Sequence, residues 1–397
     1  MVQAAFEFSR LGDAPADTRV AAAPQPASTV PQATEATAFD HTGFEIGWDH
    51  AHYRVTPPLR HLHGDNPVRQ GWDRGRTVFG TRTLRPSAAV RQWLALRLQA
   101  WQHGQVFEGV QVNPAFLAHI DAVDCPVSRQ PLTLCAARDS DATVTRLNPA
   151  AAYAAGNLVV LSQRVATLWA DGDWAAALDQ ARRAEAGEAG ADGLSAAEWT
   201  RLAVLASFAT PLPHAQAALL PLRALPPNRV RVINPVQALQ VMLTLQFTQA
   251  AYARRLMALA ALMPGGEARQ AFQVFMHTLL ARRLAVGPAP AAAELRRALE
   301  DSWADPLVNR RWQRLASRLT AADCERLLQR ASQRGLVVGG GRWLSDDVAT
   351  EGWAMAPAAQ RTAPHRSAAD AQAAMVAASA AARPGSARSL GSQKLAS

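Results

Sequence analysis

Between Arg54 and His103 the chain carries nine arginines (54, 60, 69, 74, 76, 82, 85, 91 and 97) against two carboxylates, Asp65 and Asp73. Trp72, Phe79, Trp93 and Trp101 are interleaved with them. A guanidinium offers a planar fork of donors that matches phosphate, and aromatic faces stack on bases, so the combination suits phosphate and single-strand contacts. The glycine-punctuated run RGRTVFGTRTLR reads as strand-like, which would project alternate arginines such as Arg74 and Arg76 to one side. Arg74, Arg76, Arg82 and Arg85 are therefore candidate contacts to a nucleic-acid backbone. The same segment also reads as a solvated face with its tryptophans in the core. A second cluster is His50-Ala51-His52 and His61-Leu62-His63, near Asp49 and Asp65. On strands each pair would point one way, and imidazoles with a carboxylate suit Zn²⁺. No cysteine or regular ligand spacing accompanies them, so partly exposed loop histidines are the expectation and metal binding the alternative.

The stretch from Cys125 to Ala166 has a different kind of pattern. Cys125-Pro126-Val127-Ser128 opens a possible hairpin, Thr145-Arg146-Leu147 closes a short strand, and Ala152-Tyr153 precedes the turn Gly156-Asn157-Leu158. Ser162-Gln163-Arg164-Val165-Ala166 then reads as a helix start. This order of parts resembles one branch of the HNH endonuclease family, which implies a ββα module with Cys125, Thr145, Arg146, Tyr153 and Asn157 on the pattern. Arg129 stands where that family has a glycine. In a nucleic-acid-associated protein built on this module, Arg129 and Arg146 would add further contacts to the anionic backbone.

The departures bear directly on the chemistry. Thr145 stands where the family's aspartate holds a divalent cation, and a neutral hydroxyl is a poor ligand for a hard cation. Ala166 stands where an asparagine assists the metal, and no histidine occurs between His119 and His214 to activate water. The implied module is a degenerate one, with no cofactor expected and a divalent metal as the lesser alternative. A nuclease with relocated ligands would have to draw on His119, Asp121, Asp124 or Asp141. The same residues also read as plain structure: Val127, Leu132 and Leu134 on one hairpin face, Val144 and Leu147 in the core, and Leu158 to Leu161 as a buried run.

The elements that must position these groups follow from composition and spacing. Residues 1–40 are rich in Ala, Pro, Thr and Gln and read as a disordered arm, with order beginning near Phe44. Residues 41–122 form the Arg/Trp-rich region with one helix, opened by Pro86 and closed by Gly104, whose Val90, Trp93, Leu94, Leu98 and Trp101 share a face. The module occupies 123–168. Residues 169–345 read as a helical domain, with capping boxes at Ser195–Glu198 and Thr320–Asp323. The longest uncharged stretch, Val232 to Ala253, is broken by Asn234, Gln237, Gln240, Gln246 and Gln249 and reads as an amphipathic helix, not a membrane span. Residues 346–397 read as a disordered basic tail carrying Arg361, Arg366, Arg383, Arg388 and Lys394.

The fold class expected is mainly α with a small α+β module. The chain has a formal net charge of +9, which favours acidic partners, of which nucleic acid is the commonest. Lys394 is the only lysine, so the arginine excess also reflects base composition. Three cysteines, at 125, 135 and 324, fit neither a zinc spacing nor a disulfide framework and imply a reducing, cytoplasmic setting. The function expected is a nucleic-acid-associated protein built on an inactive HNH-like module, with the helical half free to take a protein partner. A helical scaffold without a nucleic-acid role and the active nuclease are the alternatives.

Overall fold

Polar caps set where the N-terminal helices begin. The computed structural model describes residues 5–7, 32–134, 136–170, 172–187, 193–288, 290–338 and 341–355. After β1 (Ala5–Glu7) come α1 (Gln32–His52), α2 (Pro67–Phe79), α3 (Ala88–Gln102) and α4 (Pro114–Ile120). Asn66, Ser87 and Asn113 each accept a hydrogen bond from a backbone amide of the first turn, and Pro67 and Pro114 occupy first helical positions. The region expected to hold one helix thus holds several, and the strand-like reading of Arg74 and Arg76 fails because Asn66-Pro67 starts a helix through them.

Glycine explains why that helix sits where it does. Gly47 on α1 packs against the Val68 and Trp72 backbone of α2, Gly71 and Gly75 on α2 pack against Phe44, Trp48 and Ala51 of α1, and Gly43 faces Pro67 and Trp101. A Cβ on Gly47 would overlap the Val68 carbonyl, and one on Gly71 would overlap the Phe44 carbonyl. The two backbones touch, so only a hydrogen side chain fits there. Of the two glycines that read as strand punctuation, Gly75 belongs to this helix-packing seam and Gly80 ends α2 with a positive φ of 52°.

The middle of the chain forms a ββα unit. β2 (Ala142–Arg146) pairs antiparallel with β3 (Leu158–Ser162) in the register Val144↔Val160, and α5 (Gln163–Trp169) follows directly. Side chains alternate across a strand, so the hairpin has two faces. Val144, Leu158 and Val160 pack with Leu96, Leu117 and Ile120, whereas Val159 and Leu161 join the large core with Trp169 and Trp199. The unit is a wedge between two cores. The expected apolar face before it is shorter than its pattern: Val127 is buried and Leu132 partly so, but Leu134 is exposed. Asp141 draws Thr133 aside, its Oδ1 accepting from Thr133 Oγ1 at 2.6 Å, and this turns the chain outward after Leu132.

Helix packing carries the rest, and of the described residues 56% are helical and 7% are strand. In order come α6 (Trp174–Glu185), α7 (Ala196–Phe208), α8 (His214–Leu219), β4 (Arg231–Val232) and α9 (Pro235–Leu245). They are followed by α10 (Tyr252–Ala260), α11 (Gly265–Ala285), α12 (Ala292–Ser302), α13 (Pro306–Ala316) and α14 (Ala321–Gln333). Both expected capping boxes form, at the starts of α7 and α14. The uncharged stretch departs from its amphipathic reading. Residues Pro235–Thr244 of α9 are all buried, and its polar groups bond inward, Gln237 to Ser207 Oγ and Gln240 to the Leu220 carbonyl. A helix apolar on every side belongs in the middle of a core. Among the described residues no helix is long and apolar enough to cross a membrane.

β5 (Arg342–Leu344) and α15 (Asp346–Ala349) complete the fold. β1 is the centre of a second sheet, antiparallel to β4 and β5, with Phe6 facing Val232 and Trp343. The arm reading of 1–40 is corrected at both ends, since Phe6 is fully buried and α1 begins at Gln32, well before Phe44. A three-residue strand carries too little periodicity to be read from sequence. The boundary at 346 also falls too early. Trp353 is fully buried, and its indole donates to the Ala155 carbonyl at 2.9 Å. The remaining basic residues of the tail, from Arg361 onward, lie outside the described residues, as do residues 8–31 and Gly339-Gly340.

Candidate functional site

The glycine seam fixes which side of α2 meets solvent. With Gly71 and Gly75 turned to α1, Arg74 and Arg76 are left exposed, and Arg82 and Arg85 are exposed in the connection to α3. That connection is tied down by Leu84, whose amide donates to the His52 carbonyl at 2.8 Å. None of the four arginines makes an ion pair among the described residues. Arg76 instead lies over the Trp72 ring, 4.6 Å from its centroid. Two of the four thus lie on the exposed side of α2 and two in the loop that follows it.

A cleft of about 560 Å³ lies close by, between α1 and α3. Phe44, Trp48 and Trp93 line it, with the ion pair of Asp49 and Arg97 and with Glu45 on its rim. Arg97 also lies over the Trp93 ring at 4.6 Å, and the Trp93 indole donates to the Val112 carbonyl at 2.9 Å. Trp48 links the cleft to the arginine corner, because its ring meets Phe79 at the end of α2 edge-on, 4.9 Å apart. Phe44 and Trp48 are functional candidates that the sequence reading misses. Their spacing of four is the signal, visible once residues before Phe44 are read as helix. The expectation that Trp93 and Trp101 sit in the core holds only in part, since both remain partly exposed.

The four histidines do not converge. His50 is buried on α1, its Nδ1 donating to the Ile46 carbonyl at 2.8 Å, and burial pulls its pKa below the ordinary imidazole range. His52 stacks on Phe79 with centroids 4.6 Å apart. His61 is buried and accepts at Nε2 from Arg60 and Gln102, and burial lowers its pKa as well. His63 is exposed. Neither pair lies on a strand, so the geometry assumed for a zinc site is not present. Among the described residues no group of three or more His, Cys, Asp or Glu side chains could hold a metal ion.

The residues on the ββα pattern mostly serve the unit itself. Asn157 is fully buried and locks the connection between the strands, Oδ1 accepting from the Asn148 amide and Nδ2 donating to the Asn148 and Ala152 carbonyls. Arg146 is folded inward, donating to the Pro149 and Ala151 carbonyls and lying 4.6 Å from the Tyr153 ring centroid. It is not placed on the surface with the other candidate arginines. Cys125 Sγ accepts from the Ser162 amide at 3.5 Å, and Thr145 is partly buried on β2. Arg129, at the tip of a tight turn, has φ of 59° and binds Glu300 and Asp301. The proposed replacement ligands are dispersed: Asp124 pairs with Arg297, Asp141 organises the 133–138 loop, and His119 and Asp121 are exposed at the end of α4.

The chain matches no protein-family model, no curated protein and no solved structure. The site must therefore be read from its own chemistry. Neither described cysteine is placed as a nucleophile: both are buried, and burial pushes the Cys324 thiol up to about 12.

Proposed function

We propose that the protein binds nucleic acid through the corner at the end of α2, and that its ββα unit is an HNH-like scaffold that no longer runs nuclease chemistry. The observation that carries this is the exposure of Arg74, Arg76, Arg82 and Arg85 without a carboxylate partner among the described residues, beside an aromatic cleft. Unpaired surface guanidiniums keep their full attraction for phosphate, and Trp48 and Trp93 offer faces on which an unstacked base can lie. Two features support the HNH-like reading of the unit. Its elements come in the order strand, strand, helix, and Arg129 adopts a positive φ at the position where the family's pattern has glycine. The loss of cleavage rests on Thr145 and Ala166, which supply no charged ligand.

The test is fluorescence anisotropy with labelled single- and double-stranded oligonucleotides at two salt concentrations, with and without Mg²⁺, followed by a gel of the products. Binding should weaken with salt by a slope of about 0.7 per neutralised phosphate on single strands and about 0.9 on duplex. The oligonucleotides should stay intact. No binding at low salt removes the nucleic-acid reading, and Mg²⁺-dependent cleavage removes the scaffold reading.

A further inference from the structure

A second group of arginines lies well apart from the α2 corner in sequence and environment. Arg129 from the 125–130 turn, Arg201 from α7 and Arg223 from the loop after α8 gather around the end of α12, where Glu300 and Asp301 lie. Arg129 accounts for both carboxylates. Its terminal nitrogens donate to Asp301 Oδ2 at 2.9 Å and to Glu300 Oε2 at 3.1 Å. Glu300 is further occupied by the Leu225 amide at 3.0 Å and by Arg296 at 3.5 Å. Four guanidiniums thus share two carboxylates. Of the other acids whose charge bears on the group, Glu198 is held by Arg164 and the Ser195 capping box, and Glu185 is exposed at the end of α6.

Three donors are left over. The Nε of Arg129, of Arg201 and of Arg223 is each buried and has no hydrogen-bond partner. A buried donor without a partner is costly, and native proteins rarely carry several in one place unless something fills the gap. Arg201 has one partner, the Val127 carbonyl, and the Arg223 side chain has none among the described residues. Burial, and then the Arg129 charge, lowers the Arg201 guanidinium below its ordinary range, and burial lowers Arg223 likewise.

We propose that Arg129, Arg201 and Arg223 form a binding site for a tetrahedral oxyanion of the phosphate class. One such anion would supply the missing negative charge and acceptors for guanidinium forks, which match its geometry. Free phosphate and a phosphomonoester share this chemistry. The site does not depend on the nucleic-acid reading, because none of its residues belongs to the α2 corner.

The experiment uses the full chain and follows thermal unfolding against inorganic phosphate, a phosphomonoester, acetate and sodium chloride at matched ionic strength. Phosphate should raise the midpoint saturably, by about 2 °C or more, where acetate and chloride do not. Comparing the two phosphate forms shows which source the site prefers. Arg223→Met should weaken the phosphate Kd about ten-fold or more, and in phosphate-free buffer should be at least as stable as the parent, since no internal hydrogen bond is lost and a like charge is removed. Arg201→Met is the second variant. A variant replacing Arg74, Arg76, Arg82 and Arg85 with glutamine should keep the full phosphate response. Protection of Arg223 from phenylglyoxal by phosphate, read by mass spectrometry in the unaltered chain against the exposed Arg91, serves even if neither methionine variant folds. No saturable rise, a rise that acetate matches, a response retained by both methionine variants, or Arg223 protected no more than Arg91 overturns the proposal.

Discussion

Arginine performs opposite tasks in two regions of this molecule. At the end of α2, Arg74, Arg76, Arg82 and Arg85 stand exposed and bind no carboxylate among the described residues. At the meeting of β4 with the ββα unit, Arg231 is almost wholly buried and donates to the Val348 and Ala349 carbonyls, to Gln111 Oε1 at 2.9 Å and to Glu7 Oε2 at 3.5 Å. One guanidinium ties the N-terminal strand, the segment after α3 and the last helix together. The comparison teaches that a count of basic residues measures neither stability nor binding. What decides is whether the fold has already supplied the acceptors.

The sharpest break of this comparison is Arg231→Met. Removing a buried, multiply bonded charge commonly costs about 3–5 kcal/mol, and Arg229 still holds Glu7 at 3.0 Å, so a loss near about 3 kcal/mol is expected. Urea unfolding should read it as a lower midpoint, while nucleic-acid affinity per folded molecule stays unchanged. Affinity that falls in step would mean that the two regions are not separate. Gly156→Ala should act in the same direction, because the glycine has φ of 90° and a Cβ there would overlap the Arg231 side chain.

Gly71→Ala tests the other region's foundation. Its new methyl would overlap the Phe44 carbonyl, so α1 and α2 must separate, at a cost of about 1–3 kcal/mol. Because Phe44 and Trp48 ride on α1, the cleft should deform as well. Unlike Arg231→Met, this variant is expected to lose both stability and binding. Unaltered anisotropy would place nucleic-acid binding away from the cleft.

Replacing Arg74, Arg76, Arg82 and Arg85 together with glutamine should leave stability nearly unaltered, since exposed substitutions away from caps and networks stay within about 0.5 kcal/mol each. Binding is the readout. On single-stranded DNA the salt slope should flatten by about 0.7 for each phosphate that is no longer neutralised. An unchanged slope would show that these arginines are only a solvated rim.

Local signals in the sequence were the legible ones. Ser195 and Thr320 announced two helix starts because a capping box is complete within four residues. Leu158 to Leu161 read as a buried run that periodicity alone does not assign to strand or helix, and the β–β–α order came only from the resemblance to the HNH pattern. Relations between distant segments were not legible. Gly47, Gly71 and Gly75 form a seam only when two helices cross, and Phe6 becomes a core residue only when β1 enters a sheet with β4 and β5. The candidate site divides in the same way. Four clustered arginines were evident in one segment, whereas the gathering of Arg129, Arg201 and Arg223 depends on three elements far apart in the chain.

The smallest effect tests how the buried basic groups differ among themselves. Arg231 stays charged because acceptors surround it, but His50 has one carbonyl partner and burial holds its pKa below the ordinary value of about 6.5. The unfolded chain then binds the extra proton more readily than the folded one. Stability from His50 is fully present above about pH 6.5 and is lost as the pH falls below it, by at most about 1.4 kcal/mol per unit. His61 shifts in the same direction and adds to the trend. Urea midpoints measured between about pH 7.5 and 5 should therefore decline, and His50→Gln should flatten the decline. If the variant keeps the full slope, the acid sensitivity lies elsewhere. A flattened slope would instead set the two kinds of buried base apart. The histidine is tolerated because it can shed its charge, and the arginine because Glu7, Gln111 and the Val348 and Ala349 carbonyls offset the burial of the charge it keeps.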